Sequence, residues 1–327
     1  MPKILSLLTP SAASSLRPPI LRRVPTTRLL PRRTSATMAG AEVSGEIFDL
    51  QNYPTPLSPP CPAISKEVEL RRAMSAASRS SFFVLTGDDI VFEDEWLAVV
   101  NKPSGSTLPA PQAELHLANR LDRDTSGLMI ITKSHRAAAK LVEAFTEHRV
   151  KKTYLALCIG RAPVWGRIRI SSGHGRSRFG AWRVYSTADV GRTLPGGSRV
   201  KHMATSFELL ALDGREVRAE RAEETVAAVE KAVAEAEEGG EEPGEILVRA
   251  LPESGRTHQI RLHCQYLAMP IKGDVKYGGV HEWEGEECDF HALHAESLMF
   301  EHPVTGLPLQ FQSPLPPWAR EASRGVL

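Results

Sequence analysis

The segment Asn119 to Ser134, N-R-L-D-R-D-T-S-G-L-M-I-I-T-K-S, limits the fold more than any other part of this 327-residue chain. It opens as a polar, charged turn and passes at once into the apolar run Leu128 to Ile131, which fits a buried strand. Asp122 then stands at the mouth of that strand, with Arg120, Arg123 and Asp124 beside it in sequence. A carboxylate fixed there among guanidinium groups is arranged to react, or to hold something that reacts. A lone Asp in a turn is more commonly a cap or an ion-pair partner. A nucleophilic carboxylate must stay ionised, and nearby cations depress its pKa. Arg120 and Arg123 are close enough in sequence to do this, and Arg261 is a third candidate from far along the chain.

The rest of the chain gives that strand its companions. Ser65 to Ala77 fits a short helix with Ser65 as cap. Ile90 to Glu93 and Trp96 to Asn101 read as strands, the second ended by Lys102-Pro103-Ser104-Gly105. After the charged turn, Ser134 is a plausible N-cap. Ala138, Leu141, Val142 and Phe145 then recur at helical spacing to about His148. Val150 to Ile159 reads as a strand, and 166–205 holds short strand candidates among Gly, Ser and Arg. Ala204–Leu212 and Glu245–Leu251 can pair as a long hairpin around an Ala- and Glu-rich insertion, 213–243, whose weak stripe of Val226, Val229, Val233 and Ala236 reads as a solvated surface helix, with a partner-docking helix as the alternative. Gly255 to His263 opens a helix with Ile260, Cys264 and Leu267 inward, and strands alternate with Pro-rich turns from His291 to Pro317. Short strands with a few helices predict a mixed sheet carrying helices, an α+β fold, and not a βαβ repeat.

Charge is unevenly spread. Residues 1–41 carry seven Lys or Arg and no acid, whereas 213–245 carry twelve acids and four basic residues. Subtracting +7 and −8 from the overall +1 leaves the remainder at +2, so only local patches can argue for a nucleic-acid partner. Residues 1–41, rich in Arg, Ser, Thr and Pro, fit an organellar transit peptide, chloroplast or mitochondrial; the alternatives are a disordered basic tail and a shorter cytoplasmic product starting at Met38. Residues 42–84 read as an N-terminal extension, 85–320 as the main domain and 321–327 as a tail. No apolar run is long enough to span a membrane. The four cysteines form no C-x-x-C pair, which disfavours a zinc site or a disulfide framework.

Two further segments carry chemistry. Lys152 and Tyr154 share one face of a strand, because side chains alternate with period two. Tyr154 can be an ordinary core aromatic, but a basic residue beside a ring also suits a phosphate with a stacked base. In Gly255 to His263, Arg256 and Arg261 lie near a helix start, where anions bind. His258 and His263 are five apart, which does not place them on one helical face and disfavours a metal site.

Together these segments resemble the RluA-type pseudouridine synthases. The carriers are R-L-D-R-D-T-S-G-L at 120–128, K-x-Y at 152–154 and G-R-T-H-Q-I-R-L-H at 255–263. Asp88 to Gly105, Pro270 to Asp274 with Tyr277-Gly278, Leu293-His294-Ala295 and Phe300 to Pro303 extend the likeness over roughly residues 85 to 317. Tyr53 to Ser58 and Gly173 to Ser186 look like plant members in particular. Asn119 departs from the His usual before R-L-D, and the 213–243 insertion is long for the family.

The resemblance implies the family's catalytic fold, a largely antiparallel mixed sheet with flanking helices. It implies isomerisation of uridine to pseudouridine in structured RNA, transfer or ribosomal, without cofactor or metal and with no membrane partner, by a protein expected to be monomeric. By that resemblance Asp122 is the nucleophile, toward either the uracil ring or the ribose anomeric carbon. Tyr154 stacks on the uracil and is a candidate for handling the carbon 5 proton. Arg261 pairs with Asp122, and Arg120 fills the gap left by a flipped uridine. Arg123, Lys152, Arg256 and His258 are expected at the RNA-binding rim. The alternative readings are a non-catalytic RNA-binding or RNA-folding factor on the same scaffold, and an Asp-dependent nucleoside hydrolase.

Overall fold

The computed structural model describes residues 53–63, 65–80, 85–106, 115–217, 224–228 and 242–323. The expected transit peptide and most of the acidic insertion lie outside these residues. In chain order the strands are β1 (Ile90–Glu93), β2 (Leu97–Lys102), β3 (His116–Leu117), β4 (Ser126–Thr132), β5 (Lys151–Gly160), β6 (Arg167–Arg176), β7 (Trp182–Tyr185) and β8 (Lys201–Leu212). There follow β9 (Arg215–Glu216), β10 (Glu224–Ala228), β11 (Gly244–Pro252), β12 (Glu282–Trp283), β13 (Glu286–Glu287), β14 (Leu293–Glu301) and β15 (Pro308–Gln312). The α-helices among the described residues are α1 (Ser65–Ser80), α2 (His135–Thr146), α3 (Gln259–Tyr266) and α4 (Pro317–Ser323). The α+β class expected from the sequence is the class observed.

One sheet organises these elements, in the order β1-β2-β4-β14-β5-β11-β8-β6-β10. Its pairings are antiparallel except β14 with β4 and β10 with β6. The expected hairpin is made by β8 and β11. At the centre, Ala295 of β14 pairs with both Gly127 of β4 and Tyr154 of β5. This register brings the charged turn before β4 alongside Tyr154. Gly127 has φ +107, and a Cβ there would lie 2.3 Å from the Ala295 carbonyl, so only glycine lets these strands approach. Hydroxyls beside it tie the strands further: Thr125 Oγ1 meets His291 Nε2 and Ser126 Oγ meets His294 Nδ1, each at 2.8 Å.

The apolar strand run is buried along its whole length, from Ser126 to Thr132. Leu128 and Ile130 pack with Leu97, Val99, Leu141 and Phe300 on one side of the sheet. Met129 and Ile131 pack with Ala98 and Val100 on the other. Ser134 caps α2 as expected, its hydroxyl accepting from the Ala137 amide. The buried face of α2 is Ala137, Leu141 and Ala144; Phe145 packs partly against the same core and also borders a cavity, whereas Val142 is exposed at that cavity.

Two expectations change. Ser65 is the first helical residue of α1 and not its cap, and the helix runs on to Ser80. Within the insertion, Glu224–Ala228 is a strand and not part of a helix. It pairs with Arg167 to Ser171, on the edge of β6 whose other end is taken by β7. Backbone groups on a strand edge need partners, and this stretch supplies them, whereas a solvated helix buries too little apolar surface to prevail. The N-terminal extension is also tied to the sheet. Leu57 donates its amide to the Val184 carbonyl, and Ser58 Oγ accepts from Arg183 Nε and the Val184 amide.

Candidate active site

A cavity of about 840 Å³ opens where the turn before β4, the start of β5 and the loop between β11 and α3 meet. Asp122, Tyr154 and Arg261, with 139 positions between the first and the last, all line it. They also line a smaller recess of about 110 Å³ with Leu121, Ile260 and Leu293, so apolar side chains wall the carboxylate on several sides.

Arg261 carries the electrostatics. Its Nη1 donates to Asp122 Oδ2 at 2.7 Å, the pairing expected from the sequence. Its Nε and Nη2 donate to Asp274 Oδ2 and Oδ1 at 2.6 and 2.7 Å, a bidentate pair. The guanidinium lies 5.0 Å from the Tyr277 ring centroid, so a cation–π contact covers its face. Arg261 and Asp274 are both buried. Burial raises the pKa of Asp122, but the Arg261 charge, with smaller contributions from His258, His291 and the Arg261 hydrogen bond, together outweighs it and holds the carboxyl at about 2. His258 and His291, lowered by burial to about 3 and 4, are neutral near pH 7 and add little charge there.

His258 precedes α3 in the left-handed region, at φ 58. A non-glycine residue there costs roughly 1 kcal/mol or more, which packing must offset. The conformation aims its ring at two partners, Tyr277 OH at 2.6 Å from Nδ1 and Asp122 Oδ1 at 3.6 Å from Nε2. A carboxylate only accepts, so Nε2 carries the proton and the Tyr277 hydroxyl donates to Nδ1. His263 points elsewhere, to Ser172 and Thr205 at 3.0 and 2.9 Å, and is a buried structural residue. Among the described residues no three His, Cys, Asp or Glu side chains converge as a metal site.

Tyr154 is half-buried, and burial together with the nearby Asp122 charge raises its pKa, so its hydroxyl stays protonated. It offers the cavity a neutral ring. Lys152 stands on the same face, its Nζ 3.3 Å from the Ser254 carbonyl and 5.7 Å from the Phe145 ring. Burial lowers its pKa to about 8. Arg120 is exposed at the cavity wall. Arg256, half-buried, donates Nε to the His202 carbonyl at 3.1 Å.

Arg123 does not crowd Asp122. It lines the cavity, but its Nε and Nη2 donate to Asp124 Oδ1 and Oδ2 at 2.5 and 2.7 Å, with Glu69 at 3.8 Å. Its guanidinium charge is therefore balanced by Asp124, and Arg123 borders the cavity without pairing with Asp122. Asp124 is buried and needs that partner.

Several site residues were not singled out by sequence. Asp274 and Tyr277 lay in segments that carried only the family resemblance, and His291 only opened the stretch of strands and Pro-rich turns to Pro317. Lys102 lay in a strand-ending K-P-S-G. It is buried, and its ammonium donates to the carbonyls of Pro103, Ser106 and Arg123 at 2.8, 2.9 and 2.8 Å. It thereby ties the turn after β2 to the turn holding Asp122. Asn119 has a comparable role, its Oδ1 accepting from the Ile130 amide at 2.8 Å. Nothing in local sequence marks a lysine as a carbonyl clamp.

Comparisons with known proteins agree with this geometry. Residues 96–266, which include Asp122, Tyr154 and Arg261, match RNA pseudouridylate synthase as a family. RNA pseudouridine synthase 1 of Oryza sativa is 59% identical over 291 residues, covering 82% of this chain and 84% of that protein. Its namesake in Arabidopsis thaliana is 57% identical, covering 82% of this chain and 87% of that protein. Ribosomal large subunit pseudouridine synthase D of Vibrio parahaemolyticus is 30% identical, covering 70% of this chain and 67% of that protein. With the ionised carboxylate, its buried arginine and a neutral ring meeting in one cavity, and with relatives this similar over most of their length, the chain belongs to the RNA pseudouridylate synthase family and is an isomerase that makes pseudouridine in RNA.

Proposed function

We propose that this protein converts a uridine extruded from structured RNA, transfer or ribosomal, with Asp122 as nucleophile. The observation that carries the assignment is the Asp122–Arg261 ion pair beside the Tyr154 ring in one cavity. A carboxylate with so low a pKa is ionised throughout the physiological range and available to attack. The uracil must stay next to its sugar while the glycosidic bond is broken, the base turns and carbon 5 is joined. A walled recess with a flat neutral ring favours this more than strong acid–base groups do. In this reading Arg120, which is exposed, fills the gap in the RNA stack, and Lys152 holds a phosphate. The expected monomeric state belongs to this proposal and is checked by light scattering. So does organellar targeting through residues 1–41, checked by imaging that segment fused to a fluorescent protein.

The test is to map pseudouridines across organellar and cytosolic RNA with and without the protein. Loss of defined sites identifies the target. No change in any RNA overturns the proposal.

Tyr154 and Lys152 give sharper readouts. Base–aromatic stacking contributes about 1–3 kcal/mol, so Tyr154→Ala should weaken RNA binding roughly tenfold or more. Tyr154→Phe keeps the ring and should bind as wild type while turning over more slowly. Equal affinities for the two variants would remove the stacking role. The Lys152 charge is present below about 8 and lost as pH rises through that value. The KM for RNA should therefore climb above about pH 8 with kcat unchanged, and the climb should vanish in Lys152→Met.

A further inference from the structure

A second cavity of about 540 Å³ lies beside the first, against the hairpin of β6 and β7 and the residues before β8. Gly255, Arg256 and Thr257 line both cavities, so the two are walled by one shared loop. Besides Arg256, four cations, Arg176, Arg178, Arg199 and Lys201, line the second cavity, and no Asp or Glu does. All four are exposed, and none of them is within ion-pair distance of a carboxylate among the described residues. In a chain whose net charge is +1, such a cluster is a local exception.

The hairpin that presents Arg176 and Arg178 is tied down. Its tip, Ser177 to Gly180, is a tight turn closed by Gly180 N donating to Ser177 O at 2.9 Å and Ser177 N to Ala181 O at 2.7 Å. Arg176 Nε donates to the Gly180 carbonyl at 2.8 Å, and its guanidinium lies 5.9 Å from the Trp182 ring centroid. Behind the tip, His174 stacks on Trp182 with ring centroids 4.7 Å apart, and its Nε2 meets the Thr257 carbonyl at 2.9 Å. The hairpin is thereby pinned to the loop that also borders the catalytic cavity. At the tip Phe179 is 82% exposed, with the Arg178 guanidinium 4.6 Å from its ring centroid. An apolar ring held in water by a two-residue turn has a cost that folding does not repay.

We infer that this groove is a second RNA subsite, which takes the sugar–phosphate backbone of the strand leading away from the extruded uridine. Arg176, Arg178, Arg199 and Lys201 neutralise successive phosphates, and Phe179 offers its ring to a base of that strand. The inference rests on RNA being the substrate of the adjoining cavity. Unpaired cations interleaved with an exposed aromatic suit a single-stranded polyanion with stackable bases. Anchoring one flanking strand also fixes which uridine reaches the recess, so the subsite contributes to target choice.

The test measures binding of a fluorescent oligouridylate to the full chain in an Asp122→Asn background, across a salt series. Combining Arg178→Ala, Arg199→Ala and Lys201→Ala should weaken binding about tenfold or more at low salt. It should also reduce the slope of log K against log salt by about 2, since each lost phosphate contact removes about 0.7. Phe179→Ala should weaken binding about fivefold or more, and Phe179→Trp should not. Restoring charge with Arg178→Lys and Arg199→Lys should recover the slope. A control removing equal charge, Arg71→Ala, Arg215→Ala and Arg320→Ala, touches neither cavity and should change little. Wild-type affinity and slope in the first triple variant would overturn the subsite, as would an equal loss in the control. If the parent protein binds no RNA, the reading of the catalytic cavity falls first and the subsite with it.

Discussion

Asp122→Asn should abolish pseudouridine formation, by roughly 10⁴-fold or more, in a protein that still folds and still binds RNA. The substitution keeps the size of the side chain and removes the charge that attacks. Its structural cost is limited because Arg261 retains two hydrogen bonds to Asp274 at 2.6 and 2.7 Å. One charged hydrogen bond is lost, about 1.5–3 kcal/mol at most, and Asp122 is only half-buried. Thermal unfolding should therefore shift by a few degrees. The pH behaviour follows from the depressed pKa. The stabilisation due to ionised Asp122 is present above the usual carboxylate range and is lost only as pH falls through about 2. Wild-type turnover should accordingly show no acid limb from this group at mildly acid pH. A variant that retains pseudouridine formation would exclude Asp122 as the nucleophile.

Asp274→Asn should do the opposite and strike the fold as well as the chemistry. Asp274 is fully buried, and the Arg261 charge lowers its pKa against the upward push of burial. Removing one partner of a buried pair leaves the other uncompensated, at about 3–5 kcal/mol. In a protein of this size that corresponds to a fall of about 10 °C in Tm. Arg261 keeps only Asp122 as an anionic partner, and the substituted asparagine can accept through its one carbonyl oxygen alone, so the guanidinium is held less firmly from behind and the carboxylate it orients is misplaced. Activity should fall steeply even at temperatures where the variant is folded. The decisive comparison is Asp122→Asn beside Asp274→Asn, by calorimetry and pseudouridine yield. Equal stability of the two would show that Asp274 does not anchor the arginine.

The contrast between these aspartates marks the limit of reading the sequence. Asp122 announced itself because it sits in a charged turn against a four-residue apolar run, and local pattern carries that information. Tyr154 was placed on the same strand face as Lys152 by the period of two. Asp274 gave no such signal. An Asp in K-G-D reads as a turn residue, and its bidentate grip on Arg261, thirteen positions earlier, exists only because α3 and the following loop fold back on each other. Lys102 was hidden in the same way.

Arg123 failed for the complementary reason. Adjacent in sequence to Asp122, it was expected to act on it, yet the turn directs its guanidinium to Asp124. Sequence proximity does not set side-chain direction in a turn. The insertion erred through competition: an Ala- and Glu-rich composition favours helix, but an open edge on β6 offered Glu224–Ala228 a ladder to complete.

What the chain by itself determined is therefore local and periodic: the strand behind Asp122, the Ser134 cap, the β8–β11 hairpin, the α+β class and the residue types that make an RNA isomerase. What only the tertiary structure decided is pairing across distance. The register at Ala295 sets Gly127 and Tyr154 on either side of β14, and the buried Asp274 makes Arg261 a fixed cation. Periodicity reports which face a residue occupies. Charge pairing depends on which groups are left without water together, and that is settled only when the sheet closes around them.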